Sequence, residues 1–238
     1  MSEALLSVRG LKAWYARAQI LFDVSVEVGR GEVVALMGRN GAGKSTTFKA
    51  VMGLLERLEG EVLFHDQSLR GLEPFQIARL GLSYVPEERR IFNELTVMEN
   101  LEVGRQPPRR ANMPAWTPER LFRIFPNLGE MPDRMGARMS GGEQQMLTVA
   151  RSLMGNPLLV LLDEPSEGLA PRIVEEMANM ILELRKEGLS VLLSEQNLHF
   201  ANLVCDRAYV VEKGQVRYEG TMAELARNDR VMREYLSV

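Results

Sequence analysis

The sequence predicts a mixed α/β fold, a parallel sheet with a helical lobe inserted into it, and three observations lead there. Residues 32–37 form a nearly continuous apolar run, and 82–85, 158–162 and 189–193 repeat it. A strand that is apolar on both faces is buried on both, as in a sheet covered by helices. Helical patterns separate these runs, the order that builds a parallel sheet. Between the run at 82–85 and the run at 158–162 the character changes. Pro107, Pro108, Pro114 and Pro118 mark 105–118 as a loop, flanked by helical patterns over about 94–104 and 119–154.

At the N-terminus, residues 5–8 and 21–28 alternate as half-buried strands do, and Gly29-Arg30-Gly31 turns the chain into the run at 32–37. That run enters a glycine-rich loop, after which 45–54 reads as a helix. His65 falls in a turn, Phe64-His65-Asp66-Gln67, and carries no site signal. Near the end, 208–211 and 215–218 flank Lys213-Gly214 as a hairpin. Thr221 with Glu224 three places on is a capping box that opens a short helix. A single domain is expected, with its core over 1–86 and 155–238 and its helical subdomain over about 87–154.

A chain of 238 residues buries one large core or two small ones. Apolar content of 45% and charged content of 26% are ordinary for a soluble globular protein. The net charge of −3 argues against general nucleic-acid affinity, so Arg89-Arg90 and Arg109-Arg110 read as solvated faces. The single cysteine, Cys205, has no intrachain partner, which suits a reducing compartment. The opening MSEALLSVRG lacks a signal-peptide pattern, and no apolar run reaches the ~20 residues that span a bilayer. Any membrane role is expected to come through partners.

Gly38-Arg39-Asn40-Gly41-Ala42-Gly43-Lys44-Ser45-Thr46 matches G-x-x-x-x-G-K-[ST], between a strand and a helix. Glycines let the backbone curl until its N–H groups face the β- and γ-phosphates of a nucleotide. Lys44 supplies a point charge, Ser45 a hydroxyl for Mg²⁺, and the following helix its positive end. The run at 158–162 delivers Asp163 to the sheet's C-terminal edge, where a carboxylate holds Mg²⁺ through water. Glu164 follows, placed to polarise an attacking water. Ser140-Gly141-Gly142-Glu143-Gln144 is locally a capping box, and a capped helix start with two glycines also admits a phosphate.

These motifs in this order, with Tyr15 upstream, resemble the ATP-binding cassette (ABC) ATPases over essentially the whole chain. The resemblance implies a P-loop NTPase fold: a RecA-like parallel sheet core, an N-terminal antiparallel β-subdomain and an inserted α-helical subdomain. It implies ATP and Mg²⁺ as ligands and a head-to-tail dimer, with itself or a homologous ATPase subunit. Each ATP then lies between one subunit's phosphate loop and the other's Ser140, Gly141, Gly142 and Glu143. Tyr15 would stack on adenine, and Ser166-Glu167-Gly168-Leu169 would cross the dimer interface. Two membrane permease subunits and, indirectly, a solute-binding protein are implied as partners. The implied location is cytoplasmic, peripheral on the inner face of the plasma membrane through the permeases.

At two positions the chain departs from the family's usual pattern. Glutamine usually follows the strand ending Tyr84-Val85-Pro86, sensing Mg²⁺ and coupling to the membrane partner; here it is Glu87. Histidine usually contacts the γ-phosphate after the strand at 189–193; here the matching residue is Gln196. With SEGLAP at 166–171, both departures are similar to the F-type (LivF-type) ATPase subunits of branched-chain amino-acid importers. Urea-importer cassettes are similar but keep glutamine at position 87; an ATPase of a urea, amide or other amino-acid importer is the alternative the resemblance implies. His199, one of two histidines, is therefore expected to be a bystander. In a helix starting near Asn197 it sits about 100° round from Leu198, toward the rim, while Leu198, Ala201 and Cys205 face inward. Gln196 donates a hydrogen bond but carries no proton or positive charge near neutral pH.

Other classes fit less well. A repair ATPase on the same cassette needs a coiled coil between phosphate loop and signature, and no heptads occur there. A translation-associated protein would carry two cassettes. A non-hydrolysing ATP sensor is favoured by Gln196 and opposed by Glu164.

Overall fold

The computed structural model describes residues 4–109 and 115–236; Arg110 and Pro114, assigned above to a basic pair and a loop, lie outside them. β1 (Ala4–Tyr15) and β2 (Ala18–Gly29) form a long antiparallel hairpin, and β3 (Val33–Met37) leads through the glycine-rich loop into α1 (Lys44–Val51). β4 (Arg57–Phe64) returns to pair with β1, and the short β5 (Gln67–Ser68) pairs with β4. α2 (Pro74–Leu80) and β6 (Leu82–Val85) follow, then the helices α3 (Val97–Gly104), α4 (Pro118–Ile124), α5 (Pro126–Gly129) and α6 (Gly141–Leu153). The second half alternates β7 (Leu159–Asp163), α7 (Pro171–Lys186), β8 (Ser190–Glu195) and α8 (Leu198–Val204). It continues with β9 (Arg207–Glu212), β10 (Gln215–Thr221), α9 (Met222–Ala226) and α10 (Asp229–Val231), followed by a π-helical turn (Met232–Leu236).

Two sheets result, in the orders β2-β1-β4-β5 and β10-β9-β3-β8-β7-β6. In the second, β9, β3, β8, β7 and β6 are parallel, and β10 closes one edge antiparallel. Strand alternation explains why the buried runs are apolar throughout. Val33, Ala35 and Met37 of β3 join Val191 and Leu193 of β8 in a core shared with α6 and α7. Val34, Leu36 and Leu192 face the opposite way, into a core shared with the antiparallel sheet. Each strand serves two cores, so neither face tolerates water.

The α/β class is thus as predicted, with several differences in detail. The strands at 5–8 and 21–28 run on to 4–15 and 18–29. β4 was not anticipated, because RLEGEVLF turns mostly exposed residues to water and is interrupted by Gly60. Residues 119–154 are not one helical stretch: α5 ends at Gly129, and an antiparallel bridge from Thr96 to Met135 holds the segment before α6. Pro118 is not a loop residue but opens α4, where its missing N–H costs nothing; the Thr117 hydroxyl caps that helix. The capping box at Thr221 and Glu224 is present. Among the described residues no helix is long and apolar enough to cross a membrane.

Candidate active site

The site lies where β3, β7 and β8 end side by side. Beyond Met37 the chain passes so close to β9 that a Cβ on Gly38 would run into the Val211 carbonyl oxygen. Gly43 then takes φ +111 and precedes α1 with no side-chain cap. The N–H groups of the first turn are left facing outward for an anion. Lys44 is folded back under this loop, its Nζ donating to the carbonyls of Gly38 (2.7 Å) and Arg39 (3.1 Å). Its third partner is Oε1 of Glu164 at 3.0 Å.

Asp163, the last residue of β7, is held on both oxygens. Oδ1 accepts from Ser45 Oγ (3.0 Å) and Ser194 Oγ (2.6 Å), and Oδ2 accepts from the Tyr84 hydroxyl (3.0 Å). The Tyr84 ring is fixed edge-on against Phe48 of α1. Burial, followed by the Asp163 charge, raises the Tyr84 pKa, so the phenol stays a donor.

Glu164 adopts φ +45, unusual for a side-chain-bearing residue, and its N–H bonds the Ser194 carbonyl at 3.0 Å. This turn aims the carboxylate at Lys44 and lets Gln196 Nε2 donate to Oε2 at 3.1 Å. Burial pushes the Glu164 carboxyl up, but the Glu167 hydrogen bond, the Lys44 charge and Gln196 outweigh it and hold it below the usual range. Glu167 moves the other way. Its hydrogen bond to Glu164, burial and the charges of Glu164, Glu87 and Glu195 raise it to about 7.

A cavity of about 410 Å³ opens above these groups, walled by Tyr15 and Ile20 at one end and by Glu87, Glu164 and Glu167 at the other. Asn40, Gly41, Gly43, Lys44, Ser45 and Thr46 form its floor. Ala42 is buried beneath the loop and Arg39 turns its side chain outward. Tyr15 is 44% exposed at the end of β1, a free ring face beside the cavity. The oxygens of Ser45, Asp163 and Glu87 are hard donors of the kind Mg²⁺ takes together with phosphate oxygens and water, so these residues fit that ion.

Ser140, Gly141, Gly142 and Glu143 lie elsewhere and line none of this cavity. They open α6 as a full capping box, Glu143 N–H donating to Ser140 Oγ and Ser140 N–H to Glu143 Oε2. The Arg89 guanidinium packs directly against Gly141. His199 is exposed on α8, outside the site, and the buried positions of that helix are Phe200, Ala201 and Val204. Leu198 is only half-buried, and the inward role of Phe200 was missed.

Sequence reasoning also missed Tyr84, Ser194 and Glu195. One signal was available for the last two. A serine and a glutamate closing an otherwise apolar buried strand need hydrogen-bond partners, and so mark a site.

The ABC transporter family model matches residues 21–167. The high-affinity branched-chain amino acid transport ATP-binding protein BraG of Pseudomonas aeruginosa is 42% identical, covering 98% of this chain and 99% of its own. The lipopolysaccharide export system ATP-binding protein LptB of Escherichia coli is 36% identical (98% and 97%). A probable branched-chain amino acid transport ATP-binding protein, LivF, of Archaeoglobus fulgidus is 34% identical (92% and 93%). Among solved structures, a nucleotide-free ATP-binding cassette from an ABC transporter superposes with a TM-score of 0.83 at 28% identity, covering 98% of both chains. Another ABC transporter cassette, in its ADP conformation, gives 0.81 at 28% identity, covering 98% and 96%.

Proposed function

The chain belongs to the ABC transporter family as an ATP-hydrolysing, nucleotide-binding subunit, and from that premise we propose that it energises an importer of branched-chain amino acids. The similarity to BraG along nearly the full length of both chains carries this reading. Glu87 and Gln196, at the two positions where such subunits depart from the usual pattern, support it. The LptB relatives leave lipopolysaccharide export as the competing cargo.

In the proposed mechanism a triphosphate enters over the first turn of α1 and draws the Lys44 ammonium away from Glu164. Ser45 and Asp163 would hold Mg²⁺, with Glu87 beside them; the ion supplies charge neutralisation at the phosphates. Glu164, released from Lys44, accepts hydrogen bonds from water and orients it for attack. Gln196 moves its amide from Glu164 to the γ-phosphate. A second cassette, a copy or a homologue, covers the ATP with its signature helix, and Tyr15 stacks on adenine.

Coupling would run through a second cavity, about 870 Å³, between α2 and the helices α3 and α6. Phe75, Phe92 and Val103 line it with exposed apolar surface, and Arg79, Arg109 and Arg151 give it positive charge. Among the described residues its lining contains no carboxylate. Such a groove suits a short permease helix with apolar anchors and an acidic residue. Of the loop residues Arg89, Arg90, Ile91 and Phe92, only Phe92 lines it. Arg89 packs on Gly141, Arg90 pairs with Glu88 at 3.4 Å, and Ile91 packs against the core.

Purification of the chain from its native membrane tests the proposal. A second cassette, two permeases and a solute-binding protein, with ATPase activity stimulated by leucine, is the expected result. Recovery of lipopolysaccharide-export components would assign the other cargo.

A further inference from the structure

The last residue of β8, Glu195, is a carboxylate 1% exposed with no ion-pair partner among the described residues. Both of its oxygens are nevertheless used, and each serves a different loop. Oε1 accepts from the backbone N–H (3.2 Å) and hydroxyl (2.5 Å) of Ser166. Oε2 accepts from the backbone N–H groups of Gln196 (3.0 Å) and Asn197 (2.9 Å). Ser166 lies in the loop between β7 and α7, and Gln196 and Asn197 form the link from β8 to α8.

A buried carboxylate without a cation is costly, and an apolar residue would close a buried strand at less expense. What a carboxylate adds is two acceptor oxygens on one rigid fork, able to fix two loops relative to each other. The switch-loop side is itself anchored. Asn197 caps α8 by accepting from Phe200 N–H at 3.1 Å, and the Gln196 side chain reaches Glu164.

We propose that Glu195 is a positioning residue that clasps the interface loop at Ser166 to the switch loop at Gln196 and Asn197. When two cassettes close on ATP, the loop that meets the partner and the loop that reads the γ-phosphate move as one unit. Gln196, which lacks a charge with which to find the phosphate, is steered from the interface. This rests on the ATP-sandwich reading above.

Glu195→Gln cuts the clasp at one end. Its amide oxygen can still serve the Gln196 and Asn197 N–H groups, while its NH₂ turns to the Ser166 hydroxyl and leaves the Ser166 N–H unmet. Ser166→Ala loosens the same end with the carboxylate in place, and serves if Glu195→Gln does not fold. Both are placed in a Glu164→Gln background, and hydrogen exchange is followed by mass spectrometry with and without ATP–Mg²⁺.

Without either added variant, ATP is expected to protect 166–169 and 196–197 together. With either variant, protection gained at 196–197 is expected to fall by about fivefold, while 166–169, buried directly between cassettes, keeps its gain to within about twofold. A general loss of structure would lower both. Unchanged gains at both loops in both variants would overturn the proposal. No ATP-dependent protection with Glu164→Gln alone would overturn the sandwich reading, and the clasp with it.

Discussion

The Lys44 ammonium and the Glu164 carboxylate form a 3.0 Å ion pair whose side chains are only 3% and 6% exposed. The phosphate-binding cation and the residue proposed as the base thus neutralise each other inside the chain. A triphosphate must exchange one anion for another at Lys44, and in doing so releases Glu164.

Lys44→Ala is therefore expected to do two things. It abolishes ATP binding measurable by calorimetry. It also strands a buried carboxylate, lowering stability by about 3 kcal/mol in urea unfolding. Adding Glu164→Gln should recover much of that stability and none of the binding. A Lys44→Ala chain with parental stability would contradict the buried pair.

Besides the Ser45 hydroxyl, those of Tyr84 and Ser194 orient Asp163. Tyr84→Phe and Ser194→Ala are each expected to raise the Mg²⁺ concentration for half-maximal ATPase activity by about tenfold. Affinity for ATP without metal, measured by calorimetry, should not change. Loss of activity with an unchanged Mg²⁺ requirement would assign these hydroxyls a different role.

Glu167 gives the site a pH dependence of known sign. Its pKa rises from an ordinary 4.5 to about 7 in the folded chain, so its proton is bound more tightly there than in the unfolded chain. That contribution to stability is complete below 4.5 and is lost as pH rises through about 7. The depressed Glu164 acts in a separate window, losing its contribution only as pH falls below the ordinary carboxylate range. Between pH 5 and pH 8, thermal unfolding of Glu167→Gln is expected to vary less than that of the parent. Identical Tm profiles would rule out the raised carboxyl.

The α/β class was legible because its evidence is local. Uninterrupted apolar runs mark strands buried on two faces, and the glycine-rich loop marks where β3 meets α1. β4 was not legible, since a strand with one wet face and a glycine at its middle carries little periodicity. In the candidate site the residues inside contiguous motifs could be proposed from the sequence. Tyr84, Ser194 and Glu195 act across strands, through hydroxyls and a carboxylate that bond Asp163 or Ser166 far along the chain. Their register is set only when β6, β7 and β8 lie side by side.

Gln196 and His199 separate the two readings of the loop after β8. Gln196 touches Glu164, while His199 is exposed beyond it. Gln196→His is expected to raise steady-state ATPase activity by about tenfold, increasingly so at higher protein concentration, because imidazole shares a proton at neutral pH. His199→Ala should leave activity within about twofold of the parent. The reverse pattern would place the switch at His199.

The most direct test of the whole account is the behaviour of Glu164→Gln with ATP–Mg²⁺, followed by ATPase assay and light scattering on one sample. The amide keeps the size of the carboxylate, frees Lys44 from its internal partner and removes the base. ATP binding should persist, turnover should fall by about a thousandfold, and an ATP-dependent dimer with a partner cassette or with itself should accumulate. Turnover at the parental rate would show that Glu164 is not the group that activates water.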